Sequence, residues 1–299
     1  MKNKIPLGYI ELPTGPKAIF PMNDIFLNFT FENPIYWEAL RLIVNIIIEA
    51  YKQAVTDTLL SPVTGTIEVK TQFRHFLEDG RTTRDQDLKM IEDKGNLTFI
   101  ECQNNAITVP PIPIRSVEYF GLGIGHSRGK LANQIWLLAE DVDAVLQGKT
   151  FANYILKDEE TGHTHPSTSG ILYVSLDKLS HENTPAGELA AILLGKEKST
   201  EDTNVGRVMQ ALNASFDNFK SDKDVTFVYS LQERWTNEAK IEARIEGKAE
   251  GRAEGKAEGR AEAVLEFVLK RINQNRPIEE IVEDFGLSRE YIESLMNDL

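Results

Sequence analysis

Residues Arg84 to Gln103 read RDQDLKMIEDKGNLTFIECQ, two short runs of alternating polar and apolar residues around a glycine. Alternation at period 2 marks a strand whose successive side chains point to opposite faces. It puts Asp85, Asp87, Lys89 and Ile91 on one face and Leu88 and Met90 on the other. In the second run Leu97, Phe99, Glu101 and Gln103 share a face, opposite Thr98, Ile100 and Cys102. Asp93-Lys94-Gly95 fits a three-residue hairpin loop, whose last position is left-handed and favours glycine. That loop pairs Glu92 with Asn96, and counting outward sets Asp87 opposite Glu101 and Asp85 opposite Gln103. A two-residue loop would separate Asp87 from Glu101.

Directly opposed strand side chains lie about 4.5–5.5 Å apart at Cβ, so two carboxylates there repel unless something positive lies between them. A divalent cation held by Asp87, Glu101 and the backbone carbonyl of Cys102 would meet that need. The same alternation also describes an ordinary solvated sheet face. The register of the hairpin is what separates these readings.

Outward from the hairpin, Leu40, Ile43, Val44, Ile47 and Ile48 recur at helical steps, so a helix is predicted over 34–52, entered through Asn33 and Pro34. Glu38 sits on its flank, a surface position from which a third acidic ligand could come. Met22–Phe31 shows little regular pattern, and 64–79 alternates like a strand. Pro110-Pro111-Ile112-Pro113 reads as a rigid connector into a helix over 114–123, which places Arg115 and Tyr119 four apart on one face. Residues 134–139 read as a short buried run, 151–156 and 171–176 alternate like strands, and helices are predicted over 186–194, 204–219 and 227–235. His163 and His165 fall in a turn-rich segment with no third ligand nearby, which favours an exposed hairpin tip over a metal site. Mixed strands and helices of this order imply an α/β fold with a mixed sheet flanked by helices.

Residues 246–262, EGKAEGRAEGKAEGRAE, repeat every four positions. On a helix each position advances by about 40° per repeat, giving drifting stripes with Glu roughly opposite Lys and Arg. Each interior glycine costs about 1 kcal/mol relative to alanine, so a lone helix here is marginal. Either the segment is a charged spacer, or two copies pair so that a Glu stripe meets a basic stripe. Beyond it, Pro277–Phe285 and Ser288–Met296 form two short helices around Gly286-Leu287-Ser288. Their arrangement is like a helix-turn-helix, but the second helix is acidic, with one Arg and no Lys, which favours packing or dimerisation. Three regions result: 1–235, 236–262 and 263–299.

The net charge of −13 over 299 residues argues against constitutive, tight nucleic-acid binding. The single cysteine, Cys102, has no internal disulfide partner and suits a reducing compartment. The first residues lack a signal-type apolar core, and Leu42–Ile48 is too short to span a bilayer, so a cytoplasmic location is expected.

With these residues in place, the chain resembles the PD-(D/E)XK nuclease family transposases, also called recombination-promoting nucleases. The likeness rests on Asn23-Asp24-Ile25-Phe26, Asp87, Ile100-Glu101-Cys102-Gln103, Arg115 with Tyr119-Phe120, Ile171–Leu179, and the tail of charged glycine repeats with its terminal helical pair. The resemblance implies a restriction-endonuclease-like core in which Asp87 and Glu101 hold Mg²⁺, or Mn²⁺, and Gln103 stands where lysine is usual. It implies a DNA endonuclease tied to recombination or mobile elements, with Gln103 positioning water. Arg115 and Lys89 are the candidates for holding a phosphate. The competing expectation is a non-catalytic interaction protein that keeps the fold and assembles through its C-terminal helices.

Overall fold

The computed structural model describes residues 4–55, 58–71, 87–106, 108, 110–127, 132–165, 168–196 and 200–297. They form two compact units, divided between Gln232 and Glu233.

The first unit is α/β. A small antiparallel hairpin of β1 (Gly8–Leu12) and β2 (Gly15–Ile19) leads into α1 (Asp24–Glu32). A 3-10 turn over Pro34–Tyr36 then feeds α2 (Trp37–Ala54). Asn33 caps that turn by accepting from the Ile35 N–H, as Asn33-Pro34 leads one to expect. Helix α1 falls where the sequence shows no pattern. Six of its residues, Ile25 to Asn28 with Thr30 and Phe31, are buried, so no polar face is left to set a period.

The main sheet has six strands in the order β3-β4-β5-β6-β8-β7. These are β3 (Ile67–Thr71), β4 (Leu88–Glu92), β5 (Leu97–Gln103), β6 (Ala132–Leu138), β7 (Phe151–Tyr154) and β8 (Thr168–Ser175). β5, β6 and β8 run parallel, and the outer pairings are antiparallel. The crossover from β5 to β6 is α3 (Ile112–Ser127). It begins two residues earlier than the expected 114, because a helix tolerates Pro113 in its first turn, where a missing N–H leaves nothing unpaired. Short helices α4 (Asp143–Leu146) and α5 (Leu176–Leu179) follow β6 and β8. Then come α6 (Pro185–Leu193) and α7 (Thr203–Phe219).

One sheet face, with Met90, Ile100, Ile135 and Leu172, joins a core shared with Ile43, Val44, Ile47 and Ile48 of α2. The opposite face carries Trp136, Leu138 and Tyr173, covered by Ile112 and Tyr119 of α3. β5 and β6 are buried along almost their whole length, as strands covered on both faces must be. The histidine segment is the exposed β7–β8 connection, with Lys157 bridged to Thr164.

Helix α8 (Lys223–Asn273) begins in the first unit and continues into the second, which also holds α9 (Ile278–Phe285) and α10 (Arg289–Asn297). The repeat is continuous helix within α8, and the Cβ positions of Gly247, Gly251, Gly255 and Gly259 would meet nothing. Val268, Ile272, Ile281 and Ile292 make the second unit's own small core. Ser288 caps α10 by accepting from the Tyr291 N–H at 3.2 Å. Among the described residues no helix is long and apolar enough to cross a membrane.

Candidate active site

The hairpin register is the expected one. Leu88 pairs with Ile100 and Ile91 with Leu97, so Asp87 stands opposite Glu101. The Glu92 N–H donates to the Asn96 carbonyl at 3.0 Å, the Gly95 N–H donates to the Glu92 carbonyl at 2.7 Å, and Gly95 has φ 79. A three-residue turn with a left-handed glycine therefore sets the site. Asp85 lies outside the described residues.

Backbone groups hold the two acids reciprocally. The Asp87 N–H donates to Glu101 Oε1 at 2.9 Å, and the Cys102 N–H donates to Asp87 Oδ2 at 3.1 Å. A strand residue directs its N–H and C=O toward the same neighbour, so the Cys102 carbonyl also points to the Asp87 side. Glu101 is 2% exposed and sits beside Trp136 of β6. The pair lies at the carboxyl end of β5, the end of a parallel sheet where ligands bind in open α/β folds.

Arg115 reaches this pair from α3. Its Nη1 donates to Gln103 Oε1 at 2.9 Å, and Nη2 lies 3.9 Å from Glu101 Oε2. The guanidinium packs on the rings of Tyr119, at 5.6 Å, and Trp136, at 5.5 Å. The expected i,i+4 partnership with Tyr119 is present, but the partner in Gln103 was not legible from spacing. Lys89 shares the face, yet its ammonium lies over the Phe99 ring at 5.5 Å. Arg115, not Lys89, is thus the cation in contact with Gln103. Glu38 is not brought to the site; it pairs with Arg41 at 2.5 Å and Arg207 at 3.5 Å on the helix surface.

Asp24, the first residue of α1, is the acidic group that pattern reading missed. Asn23 caps the helix by accepting from the Phe26 N–H at 3.0 Å, which fixes where Asp24 begins it. The Asp24 carboxyl is pushed up to about 8, first by the protein packed around it and then by the charge of Asp87, while Arg115 opposes the rise. Asp24 still meets solvent, and water moderates that rise. Burial raises Asp87 as well, against the Cys102 N–H and Arg115. Glu101 is raised well above the usual carboxylate range, by burial and then by Asp87. Burial and the three carboxyls hold the Cys102 thiol far from ionisation, so it is no nucleophile.

Among the described residues no group of three or more His, Cys, Asp or Glu side chains is arranged to hold a metal. Mg²⁺, however, is commonly bound through one or two carboxylates with water and substrate phosphate completing its shell. Asp87 and Glu101 fit such an ion. Both are hard oxygen donors, they face each other in register, and burial leaves their shared charge poorly compensated.

Comparison of the chain with protein-family models, with characterised proteins and with solved structures finds no match.

Proposed function

We propose that this protein is a divalent-metal-dependent DNA endonuclease with a restriction-endonuclease-like core, acting in the cytoplasm in recombination or on mobile elements. The observation that carries the reading is Asp87 facing Glu101 at the carboxyl end of β5, with Gln103 two residues on and held by Arg115. Asp87 and Glu101, with the Cys102 carbonyl, would hold Mg²⁺ or Mn²⁺. That ion supplies Lewis-acid activation of water and charge neutralisation at the phosphate. The chain's own residues do the rest. The backbone N–H groups of Asp87 and Cys102 fix the two carboxylates, so little reorganisation is left for the reaction. Gln103 orients water by hydrogen bonding. With its carbonyl oxygen bound to Arg115, its NH₂ end is the donor that remains. Arg115 provides the positive charge that a neutral Gln103 lacks, close enough to stabilise charge building on a phosphate.

Supercoiled plasmid incubated with the protein and Mg²⁺ tests this. Wild type should convert it to nicked circles, and Asp87→Ala and Glu101→Ala should each slow nicking on the order of a thousandfold. Equal nicking by all three proteins, or by none, removes the reading.

A second reading is favoured by one observation: backbone N–H groups already satisfy an oxygen of each acid, and burial favours a bound proton there. Such a site can persist without a metal, in an interaction protein that assembles through its C-terminal helices. Either way, we propose that α8 pairs with a second copy along residues 246–262. Its glycine positions are open, and its Glu and Lys/Arg stripes are complementary. Sedimentation should show a dimer whose dissociation rises with salt, because such stripes are screened over about 8–10 Å. A monomer at all concentrations contradicts the pairing.

A further inference from the structure

Where the chain leaves β5 lies a cavity of about 360 Å³ whose lining includes neither Asp87 nor Glu101. Its polar side is Asn23, Asn104 and Asn105 with Lys4 and Glu140, the last accepting from the Ala106 N–H, and its apolar side includes Phe20, Leu193 and Leu194. Two of these residues adjoin the site in the chain, since Asn23 precedes Asp24 and Asn104 follows Gln103. The Asn104 Nδ2 donates to the Met22 carbonyl at 2.7 Å, which ties the end of β5 to the entry of α1.

The partners of these amides dictate which end of each is left for a ligand. Asn23 Oδ1 accepts from the Phe26 N–H at 3.0 Å and from the Tyr229 hydroxyl at 2.6 Å, so its NH₂ is the end that remains. Asn104 spends its NH₂ on a carbonyl, so its oxygen remains. The cavity wall therefore offers an oriented donor at Asn23 and an oriented acceptor at Asn104. That combination complements the edge of a nucleobase, which carries both kinds of group side by side. The half-buried Phe20 ring supplies an aromatic surface of the kind on which unstacked bases rest. Lys4, also on the wall, can neutralise an adjoining phosphate.

We propose that this cavity binds an unpaired nucleobase of the DNA strand, next to the phosphate presented to Asp87 and Glu101. The inference rests on the nuclease reading for its ligand class and adds that the base beside the cut leaves the duplex. Strands with an unpaired nucleotide are then bound in preference to intact duplex.

The full-length protein, held in EDTA so that nothing is cut, is titrated into single-stranded pentanucleotides carrying 2-aminopurine at each position in turn. One position should change fluorescence on binding. An abasic residue there should weaken binding roughly tenfold, as loss of a stacked base does. Asn104→Ala and, separately, Phe20→Leu should abolish the difference between base-bearing and abasic strands. The wild-type comparison needs no variant, so a poorly folded Asn104→Ala does not blunt it. Equal affinity for base-bearing and abasic strands, with nicking still dependent on Asp87, overturns the pocket and leaves the nuclease reading standing. Position-specific fluorescence in a protein that never nicks plasmid keeps the pocket and overturns the nuclease reading.

Discussion

Arg115→Gln is expected to destabilise the protein by roughly 2–3 kcal/mol near pH 8 and to remove nicking activity. The guanidinium is the positive group beside a 2%-exposed Glu101, and it lowers the carboxyls of Asp24, Asp87 and Glu101 together. Taking away one partner of a buried charge pair leaves the other uncompensated, which is the expensive case. The 3.9 Å separation and the 21% exposure of Arg115 place the loss below the usual 3–5 kcal/mol of fully buried pairs. Protonation offers the acids an escape, so the loss should shrink toward pH 5. Urea unfolding at both pH values measures this. Arg115→Lys keeps the charge but not the planar fork that binds Gln103 and stacks on two rings, and should fall between the two proteins. The double change Arg115→Gln with Gln103→Lys returns a cation to the same place and should recover part of the nicking. A wild-type unfolding midpoint for Arg115→Gln at pH 8 would mean the carboxyls do not depend on it.

Asp87→Asn should do the opposite to stability while also ending activity. A carboxyl raised in the folded state stabilises the fold fully below its unfolded pKa, and that contribution is lost as pH rises through the folded value. For Asp24, which solvent reaches, the window opens at about 4 and closes short of about 8. Asp87 and Glu101 shift in the same direction, and each contributes at most about 1.4 kcal/mol per pH unit inside its window. Metal-free wild type should therefore lose stability from pH 5 to pH 8. The Asp87→Asn side chain keeps an oxygen for the Cys102 N–H and lacks the charge that raises Asp24 and Glu101. Metal-free Asp87→Asn should melt roughly 3–6 °C above wild type at pH 8 and close to it at pH 5. Parallel melting curves across that range would show that the acids are not strained by one another.

The hairpin was legible because its signals are local. Period-2 alternation and one glycine at a left-handed position fix register without reference to the rest of the chain, and register carries Asp87 to Glu101. Helix α2 was legible for the same reason, through apolar residues at helical steps after Asn33 and Pro34. What escaped depends on tertiary neighbours. Helix α1 is buried on most sides and shows no stripe, so no pattern marks Asp24 as a site residue. The link from Arg115 to Gln103 requires α3 to lie back across β5, which no local pattern announces. Glu38 had the right chemistry, but its place on α2 turns it toward Arg41 and Arg207. The first hairpin, β1 with β2, is too short to show convincing alternation around Pro13 and Thr14.

The central claim is that Asp87 and Glu101 together hold a divalent cation, and calorimetric titration with Mn²⁺ at pH 7 reads it directly. Wild type should show one binding event whose heat changes with the ionisation enthalpy of the buffer, because the raised carboxyls give up protons as the ion enters. Asp87→Ala and Glu101→Ala should show no such event. Binding of equal strength in all three proteins, or none in the wild type, would contradict it.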